Sequence, residues 1–183
     1  MPSVTSFVKR GLILMVIVCG AANHAAAEVT DAADTGFTIR HHQQVAVEPA
    51  EAYRHFVRVG SWWSSAHTYS GDATNMTIDD KPGGAFLEKL PGGGFVEHMK
   101  VIFANPGKKI RLSGGLGPLQ EYPVNGVMTV TFTKNDRGTR IDMTYRVGGS
   151  VSGGLMSWSS PVDQMLAEQF ASLEELITTP AAR

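Results

Sequence analysis

Strong turn signals recur through residues 75–147 and separate short strand-like runs, so the stretch reads as a series of antiparallel hairpins. Asp79-Asp80-Lys81-Pro82-Gly83-Gly84, Pro91-Gly92-Gly93-Gly94 and Asn135-Asp136-Arg137-Gly138 punctuate strand-like runs at 75–78, 85–90, 95–103, 109–112, 124–134 and 139–147. Proline and glycine favour backbone angles that a strand does not continue, so neighbouring runs fold back on one another. In the last run Ile141, Met143, Tyr145 and Val147 alternate with Arg140, Asp142, Thr144 and Arg146, the period of a sheet with one buried face. Residues 37–47 show the same pattern less cleanly, with Phe37, Ile39, Val45 and Val47 opposed to Arg40, His42 and Gln44.

Two helices complete the reading. Pro49 in a first turn, Glu51 early, and Ala52, Phe56 and Val57 on one face predict a helix over 49–57 that stops near Gly60. Val162, Met165, Leu166, Phe170, Leu173, Leu176 and Ile177 predict a long amphipathic helix over 161–177, with Ser159 or Ser160 as its cap. An antiparallel meander with a helix after its first strand and a long helix at its end is an α+β arrangement. The sheet must curve around the last helix to bury the apolar face of both.

One segment escapes these periods. From Ser61 to Gly71 three aromatics and a histidine (Trp62, Trp63, His67, Tyr69) sit together without a strand or helix pattern. Large rings with polar tips suit the mouth of a small-molecule pocket, and they equally suit a plug that closes one end of the sheet.

The amino terminus reads as a secretory signal peptide: Lys9-Arg10, an apolar run over 11–22, then Ala25-Ala26-Ala27 before Glu28. The apolar run is shorter than the roughly 20 residues a membrane-spanning helix needs. Cleavage after Ala27 would give a periplasmic or secreted domain with residues 28–36 as a flexible start and 179–183 as a tail. A lipid anchor at Cys19 is the rival reading, and bulky Val18 stands where such signals carry a small residue. Cleavage removes the only cysteine, so no disulfide is expected and the core must carry the stability. It also leaves 14 basic against 17 acidic residues, a net charge of −3, with no basic stripe for nucleic acid.

The order of elements, together with Trp62-Trp63, His67-Thr68-Tyr69-Ser70-Gly71, Pro91-Gly92-Gly93-Gly94, Val96-Glu97-His98-Met99, Arg111-Leu112, residues 114–120, Asn125-Gly126-Val127-Met128 and Val162-Asp163-Gln164, resembles the SRPBCC (START, helix-grip) superfamily. The resemblance covers residues 38–177 and points to its heat-shock ATPase activator-like or polyketide cyclase-like bacterial members. It implies a curved seven-stranded antiparallel sheet gripping the carboxy-terminal helix, with a cavity for an apolar or aromatic ligand between them. Trp62, Trp63, His67, Tyr69, Glu88, Glu97, Met99, Met128, Tyr145 and Met165 are then the expected lining.

Polar residues on the inward face need a reason to be there. If Phe95, Met99, Val101 and Phe103 face inward, Glu97 does too; Glu88 shares a face with Phe86 and Leu90; His41 and Gln43 lie between Ile39 and Val45. Glu97 and His41 are the candidate acid/base groups, since burial would shift their pKa values, and a hydrogen-bonded structural network is the competing explanation. Histidine spacing offers no metal site, and the glycine-rich stretches read as turns, not phosphate cradles, so no cofactor is expected. Three functions follow in order of what they demand: a carrier for a small hydrophobic or aromatic molecule, a cyclase-like acid/base enzyme, and a module that docks a protein partner through its aromatic segment.

Overall fold

A computed structural model of the chain describes residues 28–179, so the expected signal peptide and Cys19 lie outside the described residues. Eight strands form one antiparallel sheet: β1 (Glu28–Ala33), β2 (Gly36–Val45), β3 (Met76–Ile78), β4 (Ala85–Lys89), β5 (Phe95–Asn105), β6 (Lys109–Ser113), β7 (Val124–Asn135) and β8 (Gly138–Gly149). Their spatial order is β1-β2-β8-β7-β6-β5-β4-β3, so the meander from β3 to β8 is closed on its far side by the amino-terminal hairpin. Helix α1 (Pro49–Val57) follows β2, and helix α2 (Met156–Thr178) ends the chain.

The helix-grip arrangement implied by the sequence is present, with eight strands in place of seven. The additional strand is β1, within the segment 28–36 that the sequence reading leaves as a flexible start. Its backbone pairs with Gly36–Arg40 of β2 at the sheet edge, where no alternating apolar side chains are required. Val29, Asp31 and Ala33 are exposed, so the hydrophobic pattern carries no trace of it.

Alternation holds where it is cleanest. Ile141, Met143, Tyr145 and Val147 of β8 are buried and their neighbours are not. On β2, Phe37, Ile39, His41, Gln43 and Val45 all face inward, as the period of two requires. Against this face α2 lays Val162, Leu166, Phe170 and Leu173, and its main contacts are with β2. The helix begins at Met156, five residues before its expected start, with Pro161 inside it and Leu155 as N-cap without a side-chain cap bond. Pro161 has no N–H, so it forgoes one bond along the helix; Ser159 is turned instead onto Met156 O at 2.7 Å. Among the described residues no helix is long and apolar enough to cross a membrane.

Side chains nearly fill the interior between sheet and α2. The space left at its centre, bounded by Phe56, Trp62, Met128, Met143 and Phe170 among others, is about 20 Å³ and wholly apolar. That is room for about one water and for no ligand. Met99 and Met128, expected as cavity lining, are therefore core residues, 1% and 6% exposed.

The packing around Tyr145 leaves room only for glycine at position 126. A Cβ on Gly126 would overlap the Tyr145 ring, which crosses over it from the neighbouring strand. Gly126→Ala should lower stability by about 1–3 kcal/mol through overpacking, read as a lower urea midpoint with the denaturant slope unchanged. An unchanged midpoint would show that the Tyr145 ring is free to move aside.

Candidate functional site

The aromatic segment takes its path from hydrogen bonds that its own rings and backbone make. Trp62 directs its indole N–H between His55 O and Phe56 O, both at 3.1 Å, and so satisfies carbonyls at the end of α1. Its ring packs on Phe56 and Trp63, and at 6% exposure it belongs to the core, contrary to its expected place in a ligand wall. Trp63 donates to His67 O at 2.9 Å and meets Phe86 edge-on at 5.5 Å between ring centroids. From the other side Gln169 of α2, fully buried, holds the segment twice. Its Oε1 accepts from Ser64 N–H at 2.7 Å, and its Nε2 donates to His67 Nδ1 at 2.9 Å.

Beyond His67 the chain reaches Glu88, which is 0% exposed. A buried carboxylate is costly unless its oxygens are bonded. Here one oxygen accepts the Ser70 N–H, and the other lies 3.1 Å from His98 Nε2. Burial pushes the Glu88 pKa up, but the Ser70 and Tyr69 backbone N–H groups, the Ser70 hydroxyl and His98 outweigh it and hold the group below its ordinary value. His98 is likewise held below the ordinary histidine value by burial, which outweighs the attraction of Glu88. The pair is therefore an ionised carboxylate and a neutral imidazole at physiological pH.

His98 is the inward residue that the sequence pattern assigns to the wrong face. The pairing of β4 with β5 runs Phe86↔Met99 and then Leu87↔Glu97, so His98 is an extra residue in a bulge. Both His98 and Met99 turn inward, whereas Glu97 is exposed beside Lys100, its side chain 41% accessible. Phe95 and Phe103, expected inward, are exposed as well. Glu97 thus has no buried setting in which to act as an acid or base. His41 does face inward, where its Nε2 lies 3.0 Å from Asp163 Oδ1 of α2 without the alignment of a hydrogen bond. Burial lowers its pKa, partly offset by Asp163. It lies under α2 and does not border the cavity described next.

That cavity, about 420 Å³, opens at the rim where three elements meet. The aromatic segment contributes Trp63, His67 and Tyr69; the turn at Gly117–Glu121 and its approach contribute Leu116, Pro118 and Leu119; the first half of α2 contributes Trp158, Val162 and Met165. His98 supplies the sheet-side wall. Tyr145, expected to touch ligand, instead props the turn from behind: its hydroxyl accepts from Leu116 N–H at 3.0 Å and donates to Gly114 O at 3.3 Å. Its phenol pKa is pushed up to about 12 by burial. Of the expected lining, Trp63, His67, Tyr69 and Met165 border the cavity, and Glu88 stands behind His98. Trp158 and the turn around Leu119 are additions, for which sequence offers no signal beyond apolar character. A buried acid on β4 calls for a donor on its neighbour, the one signal that points to His98. Among the described residues no three His, Cys, Asp or Glu side chains converge as metal ligands would.

Comparison with known proteins agrees with this architecture. Residues 46–178 match the family described as Activator of Hsp90 ATPase homolog 1-like protein. No curated protein matches the sequence. Among solved structures, a conserved protein of unknown function from Enterococcus faecalis superposes with a TM-score of 0.58 at 9% identity, over 87% of this chain and 80% of that one. A Mesorhizobium loti protein gives 0.57 at 17% identity, over 78% and 99%. CalU16 from Micromonospora echinospora gives 0.57 at 12% identity, over 86% of each chain. At these identities the likeness is one of fold.

The buried titrating groups set a pH dependence. For His41 and His98 the folded pKa lies below 6.5, so as pH falls through 6.5 the unfolded chain takes up protons that the folded one resists, and stability declines. Glu88, below its ordinary 4.5, adds its loss only as pH falls through that value. The thermal midpoint should be highest above about pH 6.5, fall between about pH 6.5 and 5, and fall more steeply below about 4.5. A midpoint unchanged between pH 7 and 5 would contradict the neutral, buried state of both histidines.

Proposed function

Because this chain belongs to the Activator of Hsp90 ATPase homolog 1-like family, within the SRPBCC superfamily of helix-grip domains, we propose that it is an exported domain that binds a small hydrophobic or aromatic molecule at the rim of its sheet. The observation that carries this reading is the cavity of about 420 Å³ walled by Trp63, Trp158, Met165 and Leu119 with a few polar groups at fixed places. Its size and mixed lining are those of small-molecule sites. The export part rests on the basic, apolar and A-x-A pattern of residues 1–27.

With the centre of the fold sealed, a ligand on this reading would lie against the aromatic segment and α2, away from Met128 and Tyr145. Among the described residues no lysine or arginine borders the cavity, which favours a neutral ligand over an anionic one. A second reading, proton-transfer chemistry in the same cavity, draws on the Glu88–His98 pair: a buried imidazole oriented by a carboxylate has the form of a general base. It replaces Glu97 and His41 as the residues on which such an activity would depend.

Native mass spectrometry of the protein recovered from cells that export it tests the binding reading. The expected result is a chain beginning at Glu28 that carries a defined extra mass released on denaturation, with that mass lost in Met165→Trp, whose indole would occupy the cavity. A bare protein with no thermal shift against a panel of lipids and aromatics would overturn it in favour of a protein-docking module.

A further inference from the structure

His98 borders the cavity and carries an unmet hydrogen-bonding atom. Its ring is 3% exposed, its Nε2 faces Glu88, and its Nδ1 is buried without a hydrogen-bond partner. Which proton it carries follows from Glu88. An ionised carboxylate only accepts, so the atom facing it must be N–H, and a neutral ring then carries a bare lone pair on Nδ1. Leaving a buried acceptor unpaired costs about 1–3 kcal/mol, which a ligand donor would recover.

The surroundings narrow the donor further. Tyr69, 6.0 Å from the His98 ring centroid, borders the cavity together with Trp63 and Trp158, while Phe86 packs on the His98 ring at 4.9 Å from the side of the core. Flat aromatic walls suit a flat aromatic guest. A carboxylate or phosphate would meet no lysine or arginine among the described residues and would place its charge against a lone pair backed by ionised Glu88.

We propose that the cavity selects a neutral aromatic ligand bearing a hydroxyl group, a phenol or naphthol, whose O–H donates to Nδ1 of His98. The selection rests on the binding reading given above and adds to it the group that is recognised. Glu88 acts as a positioning residue: by fixing the proton on Nε2 it keeps Nδ1 an acceptor.

Two probes that differ only in the donor test this, 2-naphthol and 2-methoxynaphthalene, titrated into the protein and followed by tryptophan fluorescence. The naphthol should bind about ten-fold more tightly, the difference one recovered hydrogen bond makes. Equal affinities would overturn the donor selection and leave the binding reading standing; no binding of either would overturn both.

Glu88→Gln supplies the second test. The Ser70 N–H can only donate, so the amide oxygen must face it and the amide NH₂ must face Nε2, which drives the ring proton to Nδ1. Imidazole 15N shifts should report an Nε2–H ring in the wild-type protein and an Nδ1–H ring in the variant, with the naphthol preference lost. A wild-type ring protonated on Nδ1 would overturn the proposal whether or not the variant folds.

Discussion

A carboxylate with no exposed surface governs the functional end of this fold. Glu88 comes inward because the period of β4 puts it on the face of Phe86, and once there it must find donors or lose its charge. It finds them in two places distant in sequence: the backbone at Ser70 and the His98 ring on β5. The first pins the aromatic segment to the sheet. The second requires the bulge, since without the extra residue His98 would face solvent with Glu97's present neighbours. Loop path, strand irregularity and imidazole proton thus answer to one buried charge.

Two further polar anchors finish the rim. Gln169 reaches out of the apolar stripe of α2 to hold both Ser64 and His67. Tyr145 reaches out of the apolar stripe of β8 to hold Leu116 and Gly114, through room that Gly126 leaves. Each is a buried polar group whose bonds are made to loop atoms, which is how an apolar core fixes irregular backbone. The core itself closes to about 20 Å³, and the larger cavity of about 420 Å³ opens where the anchored loops stand apart. In this chain the larger cavity therefore lies at the edge of the grip, where loop and turn meet the first half of α2.

The meander and both helices were legible because turn chemistry and apolar period are local signals. Helix 49–57 matches its expected span, and every inward residue expected on β8 is buried. What was not legible depends on partners far along the chain. Glu97 and His98 exchange faces through a register shift set by β4, and no pattern within β5 announces it. Trp62 and Trp63 are adjacent and chemically alike, yet the carbonyls at the end of α1 claim the first and leave the second to wall the cavity. Gln169 reads as a polar interruption of an amphipathic helix until its loop partners are seen. Strand β1 is held chiefly by backbone pairing, with small Ala32 against the core, so hydrophobicity gives little sign of it.

Methionine methyl NMR separates the rim from the core most directly, because Met165 borders the cavity whereas Met128 and Met143 border the closed central space and not that cavity. On titration with 2-naphthol the account predicts that the Met165 methyl resonance shifts and those of Met128 and Met143 stay in place. Shifts at Met128 and Met143 with Met165 unmoved would place the ligand between sheet and helix and contradict it.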